Sequence, residues 1–222
     1  MQYRVNPAAV AEGRGIFDNI RKTLVYLLSG NAAELAVMLI AALVGLPFPL
    51  LPLHLLWINV VTDGLPALAL VVDPREEDVL RRPPRHPEEP MLGPAQWRFI
   101  VATGLLQAVT TMAVFVWALT ARDLSEARNL AFSVLVFGEL FRAFAARSTT
   151  RLFWEVGAFT NLRLLGVVVF SALLQVGLHH MPAAQAVFEI GPLSAADCAL
   201  TVLAGLMPVT AIELSKLIRR WG

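Results

Sequence analysis

Leu55-Leu56-Trp57-Ile58-Asn59-Val60-Val61-Thr62-Asp63-Gly64-Leu65-Pro66-Ala67 sets an amide, a hydroxyl and a carboxylate into an otherwise apolar run. Asn59, Thr62 and Asp63 stand at i, i+3 and i+4, so a helix puts all three on one face. Pro66 has no N–H to give to the carbonyl of Thr62, and its ring pushes that carbonyl aside. With Gly64 beside it, the helix is expected to break after Asp63. The unwound turn would then turn the Val61 or Thr62 carbonyl towards the polar face. Irregular backbone at membrane depth survives only inside protein or beside a hydrated cavity.

The apolar run is one block among several. The 222 residues are 57% hydrophobic and 16% charged, whereas soluble domains carry about a quarter charged residues. A helix needs about 20 mostly apolar residues to cross a bilayer. That length predicts six spans, at 24–45, 51–72, 97–120, 129–146, 162–181 and 196–217, the fourth being the shortest. The expected fold class is therefore an all-α integral membrane protein, a six-helix transmembrane bundle with a broken second span. Residues 1–23 read as a cytoplasmic stalk segment, 24–217 as the six-span domain and 73–94 as a cytoplasmic loop within it. Leu46-Pro47-Phe48-Pro49 stops the first span and starts the second. The loop, with Asp73-Pro74-Arg75-Glu76-Glu77-Asp78 and then Arg81-Arg82-Pro83-Pro84-Arg85, Pro87 and Pro90, reads equally as a solvated linker or a docking segment.

Charge and cysteine usage narrow the classes. A net charge of +1 gives nucleic-acid binding no electrostatic support. Cys198 stands alone, which excludes an intrachain disulfide and a CxxC site. Met1 to Val25 shows no apolar h-region with a cleavage site, so no signal peptide is expected. Basic residues set the orientation in the bilayer. Arg4, Arg14, Arg21, Lys22, Arg75, Arg81, Arg82, Arg85, Arg98, Arg142, Arg147, Arg151, Arg163, Lys216, Arg219 and Arg220 fall on the side of the termini, against Arg122 and Arg128 opposite. Both termini are expected in the cytoplasm.

A carboxylate at the centre of a spanning helix costs about 2.5–3.5 kcal/mol on the lenient insertion scale. Three spans carry one. Glu34 stands about ten residues into the first span, near 15 Å at 1.5 Å per residue. Asp63 and Glu139 reach a similar depth in the second and fourth. Asn31 shares the face of Glu34, three residues away. Asn31, Glu34, Asn59, Thr62, Asp63 and Glu139 are accordingly the candidate metal ligands. This set is all oxygen, which suits calcium and is poor for zinc or copper. Sodium, potassium and protons fit the same oxygens. Plainer readings stand beside this one. Thr62 can bond its own backbone, and Glu139 can pair with Arg142 one turn on. Glu213 with Lys216 reads as such a pair, Gln107 and Gln175 as packing contacts, and His54, His179 and His180 as hydrated interfacial groups.

The stretch from Leu55 to Ala67 closely resembles the sixth transmembrane helix of calcium-type P-type ATPases. Glu12-Gly13-Arg14 with Ile16-Phe17-Asp18-Asn19 is similar to the stalk of that family's fifth helix, and Ser29-Gly30-Asn31-Ala32-Ala33-Glu34 to its ion-binding stretch. Arg82-Pro83-Pro84-Arg85, Pro87 and Glu89-Pro90 resemble the loop after the sixth helix. The resemblance makes the six spans the family's fifth to tenth helices. It implies that Asn31, Glu34, Thr62, Asp63 and Glu139 serve one calcium site, and Asn59 with Asp63 a second. The Asp-Lys-Thr-Gly phosphorylation motif does not occur in these residues. The chain is therefore expected to be the carboxy-terminal transmembrane part of a pump, or a non-enzymatic remnant or passive cation-binding subunit. On the first reading Ca2+ is the transported ion, and ATP and Mg2+ act only through amino-terminal pump domains in cis or on a separate chain. The bilayer is the other expected partner.

Overall fold

The computed structural model describes residues 6–76, 78–83, 88–148 and 150–221, so Arg4, Glu77, Pro84, Arg85 and Pro87 of the sequence reading lie outside the described residues. Every regular element among the described residues is helical. α1 (Pro7–Val44) starts where Asn6 Oδ1 accepts the amide of Ala8 at 2.9 Å and Pro7 fills the first turn. It stops at Gly45, whose φ of 72° lets the Leu46 amide return to the Ala41 carbonyl at 2.9 Å. Its 38 residues extend about 57 Å at 1.5 Å per residue. That is nearly twice the hydrocarbon thickness of about 30 Å, so one helix is both stalk and span.

The second span is α2 (Pro52–Trp57), a π-helical segment π1 (Ile58–Gly64) and α3 (Leu65–Val71). Regular i to i−4 bonding is lost over Ile58–Gly64, before and through Asp63 instead of after it, and the chain does not unwind. Trp57, Ile58, Gly64 and Leu65 all keep right-handed helical dihedrals. A π turn takes one extra residue per turn, so the ring of Pro66 is accommodated by widening. The freed carbonyls find side-chain donors: Tyr26 Oη donates to Thr62 O at 2.7 Å and Ser171 Oγ to Val61 O at 3.3 Å.

Beyond these lie α4 (Pro94–Ala121), α5 (Leu124–Ala145), the short α6 (Phe153–Val156), α7 (Leu162–Leu178), α8 (Pro182–Phe188) and α9 (Ala195–Trp221). α1, the composite 52–71, α4 and α9 as far as Ile218 are each long and apolar enough to cross a membrane. α7 and α8, bent by 88°, make a fifth such unit. Leu35, Leu43, Leu68, Val109, Leu173 and Leu203 stay exposed on their outer faces, as a lipid-facing surface requires. α5 takes the place of the fourth expected span with a different composition, carrying Glu126, Arg128, Glu139 and Arg142. It is the central helix: every residue from Asn129 to Leu140 is buried, with α4, α7, α9 and π1 packed around it. A helix sheathed by protein can hold charges that a lipid-facing one cannot.

Contacts at the centre are backbone to backbone. A side-chain carbon on Gly205 of α9 would lie 2.8 Å from the Gly138 amide nitrogen of α5. Gly205→Ala should therefore push α9 off α5 and destabilise the fold by about 1–3 kcal/mol, the usual range for overpacking. Thermal unfolding in detergent measures it; an unchanged midpoint would contradict the contact.

The described first part of the loop, 73–76 and 78–83, is docked on α1. Arg14 donates to the carbonyls of Val79 and Arg82 at 2.8 and 2.7 Å, and Asn19 to that of Asp73 at 2.7 Å. Arg82 reaches Asp18 at 2.8 Å, Asp78 at 2.6 Å and Glu76 at 2.5 Å, while Lys22 takes the other Glu76 oxygen at 2.8 Å. Burial raises the Glu76 carboxyl, but hydrogen bonds and charge from Lys22 and Arg82 prevail and hold it below its ordinary value. The Arg82 hydrogen bond holds Asp78 low as well. A depressed folded value means the stabilisation is present above the unfolded carboxylate range and lost as pH falls through the folded one. The docking should hold at neutral pH and loosen only below about pH 4. Limited proteolysis of 73–83 across pH, with an acid-active protease, reads this. Release already at pH 6 would contradict it.

At the same end, Asp73, which closes the second span, forms a buried ion pair with Arg147 at 3.0 Å. Asn161, the N-cap of α7, donates to Asp73 Oδ1 at 2.7 Å, and Arg147 also reaches Gly157 O and Thr160 Oγ1. Glu213 and Lys216 pair at 2.7 Å as the i, i+3 spacing predicts.

Candidate cation site

Three helices bring the polar residues together, and a glycine makes the room. Gly30 of α1 faces π1 and α5. A side-chain carbon there would stand 2.7 Å from Asp63 Oδ2, 2.9 Å from Arg142 Nη2 and 3.1 Å from Glu139 Oε2. Asp63 and Glu139 are buried, as is Glu34 one turn along α1. Glu34 is tied to the second span by Asn59, whose Nδ2 donates to Glu34 Oε2 at 2.9 Å and to Leu55 O at 2.9 Å.

Four carboxylate oxygens are buried without a hydrogen-bond partner: Glu34 Oε1, Asp63 Oδ1 and Oδ2, and Glu139 Oε1. Buried acceptors are rarely left so, and each calls for an explanation. Arg142 is the counter-charge already present. Its guanidinium is hydrogen-bonded to Glu139 Oε2, donates to Tyr26 O at 3.3 Å and lies over the Tyr26 ring at 5.4 Å, with Nε and Nη1 unpartnered.

The other candidates are placed less centrally. Thr62 is buried, but its hydroxyl donates to Ile58 O at 2.9 Å, which is back-bonding within the helix. Asn31 is exposed on α1, and no hydrogen bond joins it to the other five. Among the described residues no three carboxylate, histidine or cysteine groups stand close enough to hold a metal ion as they are. Gln107 and Gln175 make packing contacts, Gln175 accepting from Trp57 Nε1 at 2.9 Å.

The site's chemistry is thus hard oxygen, buried, on π-interrupted backbone, at the meeting of three helices. Comparison with known proteins gives this arrangement its family. The family model described as "Cation transporting ATPase, C-terminus" matches residues 47–218. The chain belongs to the cation-transporting ATPase family. A calcium-transporting ATPase of Bacillus subtilis (strain 168) is 39% identical over 96% of this chain and 24% of its own length. Calcium-transporting ATPase 1 of Bacillus cereus (strain ATCC 10987 / NRS 248) is 32% identical over 96% of the chain and 26% of its own length. The calcium-transporting ATPase type 2C member 2 of Mus musculus is 36% identical over 96% and 23% respectively. The chain spans about a quarter of the length of these relatives.

Within this ATPase domain, sequence reasoning passed over Tyr26 and Gly30 as site residues. Tyr26 takes the carbonyl that Pro66 frees, and Gly30 gives the carboxylates access to one another. Neither role has a local signal, since each depends on which helix lies opposite. Arg142 was legible only as a partner for Glu139.

Proposed function

We propose that the chain is the membrane-embedded, cation-binding part of a calcium pump, with Ca2+ as the transported ion. The observation that carries the reading is the set of four buried, unpartnered carboxylate oxygens on Glu34, Asp63 and Glu139, with Asp63 and Glu139 facing each other across Gly30. Asn59, Thr62 and Asn31 complete the proposed ligands. Asn59 already holds Glu34, Thr62 would turn its hydroxyl from Ile58, and Asn31 would turn inward as the carboxylates draw together. An oxygen set of this kind suits calcium, which takes six to eight oxygens in flexible geometry. The names of the relatives support the same ion.

Stoichiometry follows from charge. Three carboxylates less the Arg142 guanidinium leave two negative charges, which balance one divalent cation. A second calcium would leave an uncompensated charge in a low-dielectric site, a severe penalty. This charge count favours one ion on these three carboxylates, with Asp63 at its centre, where the resemblance implies two sites. In the same proposal both termini face the cytoplasm, and ATP and Mg2+ act through amino-terminal pump domains in cis or on a separate chain. Calorimetric titration of the purified chain with calcium tests it. One ion per chain is expected, with no displacement by equimolar sodium or potassium. Two ions, or no heat at millimolar calcium, would overturn the reading.

A further inference from the structure

The end of the bundle remote from the termini holds two histidines that the cation site does not use. Sequence reasoning placed His54 and His179 in interfacial water. Both are fully buried instead, while His180 alone is exposed. Each ring is bonded at both nitrogens, and backbone partners fix its tautomer. The Leu51 amide donates to His54 Nδ1 at 3.3 Å, so Nε2 carries the proton and donates to Phe188 O at 2.8 Å. His179 Nδ1 carries the proton and donates to Gly191 O at 2.8 Å. Its Nε2 accepts from Gln175 Nε2 at 3.2 Å and meets Ser133 Oγ at 3.0 Å. Gln175 is held the right way round because its oxygen takes the Trp57 indole proton at 2.9 Å.

Two imidazoles thus hold the last carbonyls of α8 and the turn after it, tying 188–191 to the second span and to α7. Gln185 closes the bend by donating to the His179 carbonyl at 2.7 Å. Phe132 of α5 lies between the rings, stacked on His54 at 4.4 Å and 6.3 Å from His179. The charged or titratable groups facing the pair are Arg128 on α5, Glu189 at the end of α8, and His180. Among the described residues, no ion pair joins a carboxylate to either ring.

We propose that His54 and His179 form a proton-binding site that locks α8 against the second span and releases it in acid. In the closed form a second proton on His54 Nδ1 would face the Leu51 N–H, and one on His179 Nε2 would face the Gln175 amide with Ser133 Oγ as its one acceptor, and either charge would be buried away from water. With α8 swung away, both rings meet water and take protons freely. Acid therefore favours the open form. The change begins near the ordinary histidine value of about 6.5, and each ring contributes up to tenfold per pH unit below it.

Hydrogen–deuterium exchange of the full chain in nanodiscs tests this, with protection corrected for the intrinsic pH dependence of exchange. From pH 7.5 to 5.5 the protection of 182–191 should fall about tenfold or more while that of 97–118 holds. In the His54→Gln/His179→Gln double variant, whose amides donate to the same carbonyls without titrating, the profile should be flat. A flat wild-type profile, or a fall that persists in the double variant, would overturn the proposal. Should the double variant not fold, nitrogen NMR of 15N-histidine in the wild type decides. Nε2–H on His54 and Nδ1–H on His179 at pH 7.5, with the charged fraction of both rings rising about tenfold or more by pH 5.5, are expected. The opposite tautomers, or a charged fraction that does not rise between pH 7.5 and 5.5, would overturn it.

Discussion

Calcium binding should weaken about 100-fold or more in Asp63→Asn, a loss near 3 kcal/mol. Asp63 is the residue with both carboxylate oxygens buried and unpartnered, and it faces Gly30 and Glu139 across the helix meeting point. Asparagine keeps the shape and removes one of the two net negative charges proposed to balance the ion. In a water-poor site that charge is worth far more than at a surface. The substitution should leave the fold intact, since it relieves a buried, unpartnered carboxylate. Calorimetric titration read beside the unfolding midpoint separates the two effects. Unchanged affinity in a folded variant would remove Asp63 from the site.

The largest loss of stability should come from Arg147→Ala, about 3–5 kcal/mol, the usual result of removing one partner of a buried ion pair. Arg147 and Asp73 are each 3% exposed as side chains and 3.0 Å apart. Truncation leaves the Asp73 carboxylate with Asn161 as its remaining side-chain donor, and frees Gly157 O and Thr160 Oγ1 as well. The end of the second span, the 157–160 turn and the start of α7 would lose their common anchor. Asp73→Asn in the Arg147→Ala background should recover part of the loss, because it removes the stranded charge. A midpoint shift of less than a degree for Arg147→Ala would contradict this account.

Much of the architecture was legible because a bilayer asks for one thing, apolar length. Five of the six spans announce themselves that way. α5 is the exception, and its physical reason is plain. A helix sheathed by α4, α7, α9 and π1 meets no lipid, so Glu139 and Arg142 are answerable to protein partners alone. Pro66 made the irregularity of the second span legible, but not its form. Whether a helix unwinds or widens depends on donors from elsewhere, here Tyr26 and Ser171. Depth and shared faces brought Glu34 to Asn59 and Asp63 to Glu139. They could not say that Arg142 would lie beside Asp63, or that Asn31 would stay exposed. The histidines were misjudged because nearness to a span's end says nothing of burial when a bent helix such as α8 folds back over that end.

A structure determined with calcium present tests the central claim most directly. One ion is expected beside Gly30, with oxygens of Asp63 and Glu34 at about 2.3–2.6 Å and Arg142 still beside Glu139. An ion bound elsewhere, with both Asp63 oxygens unpartnered as before, would contradict it.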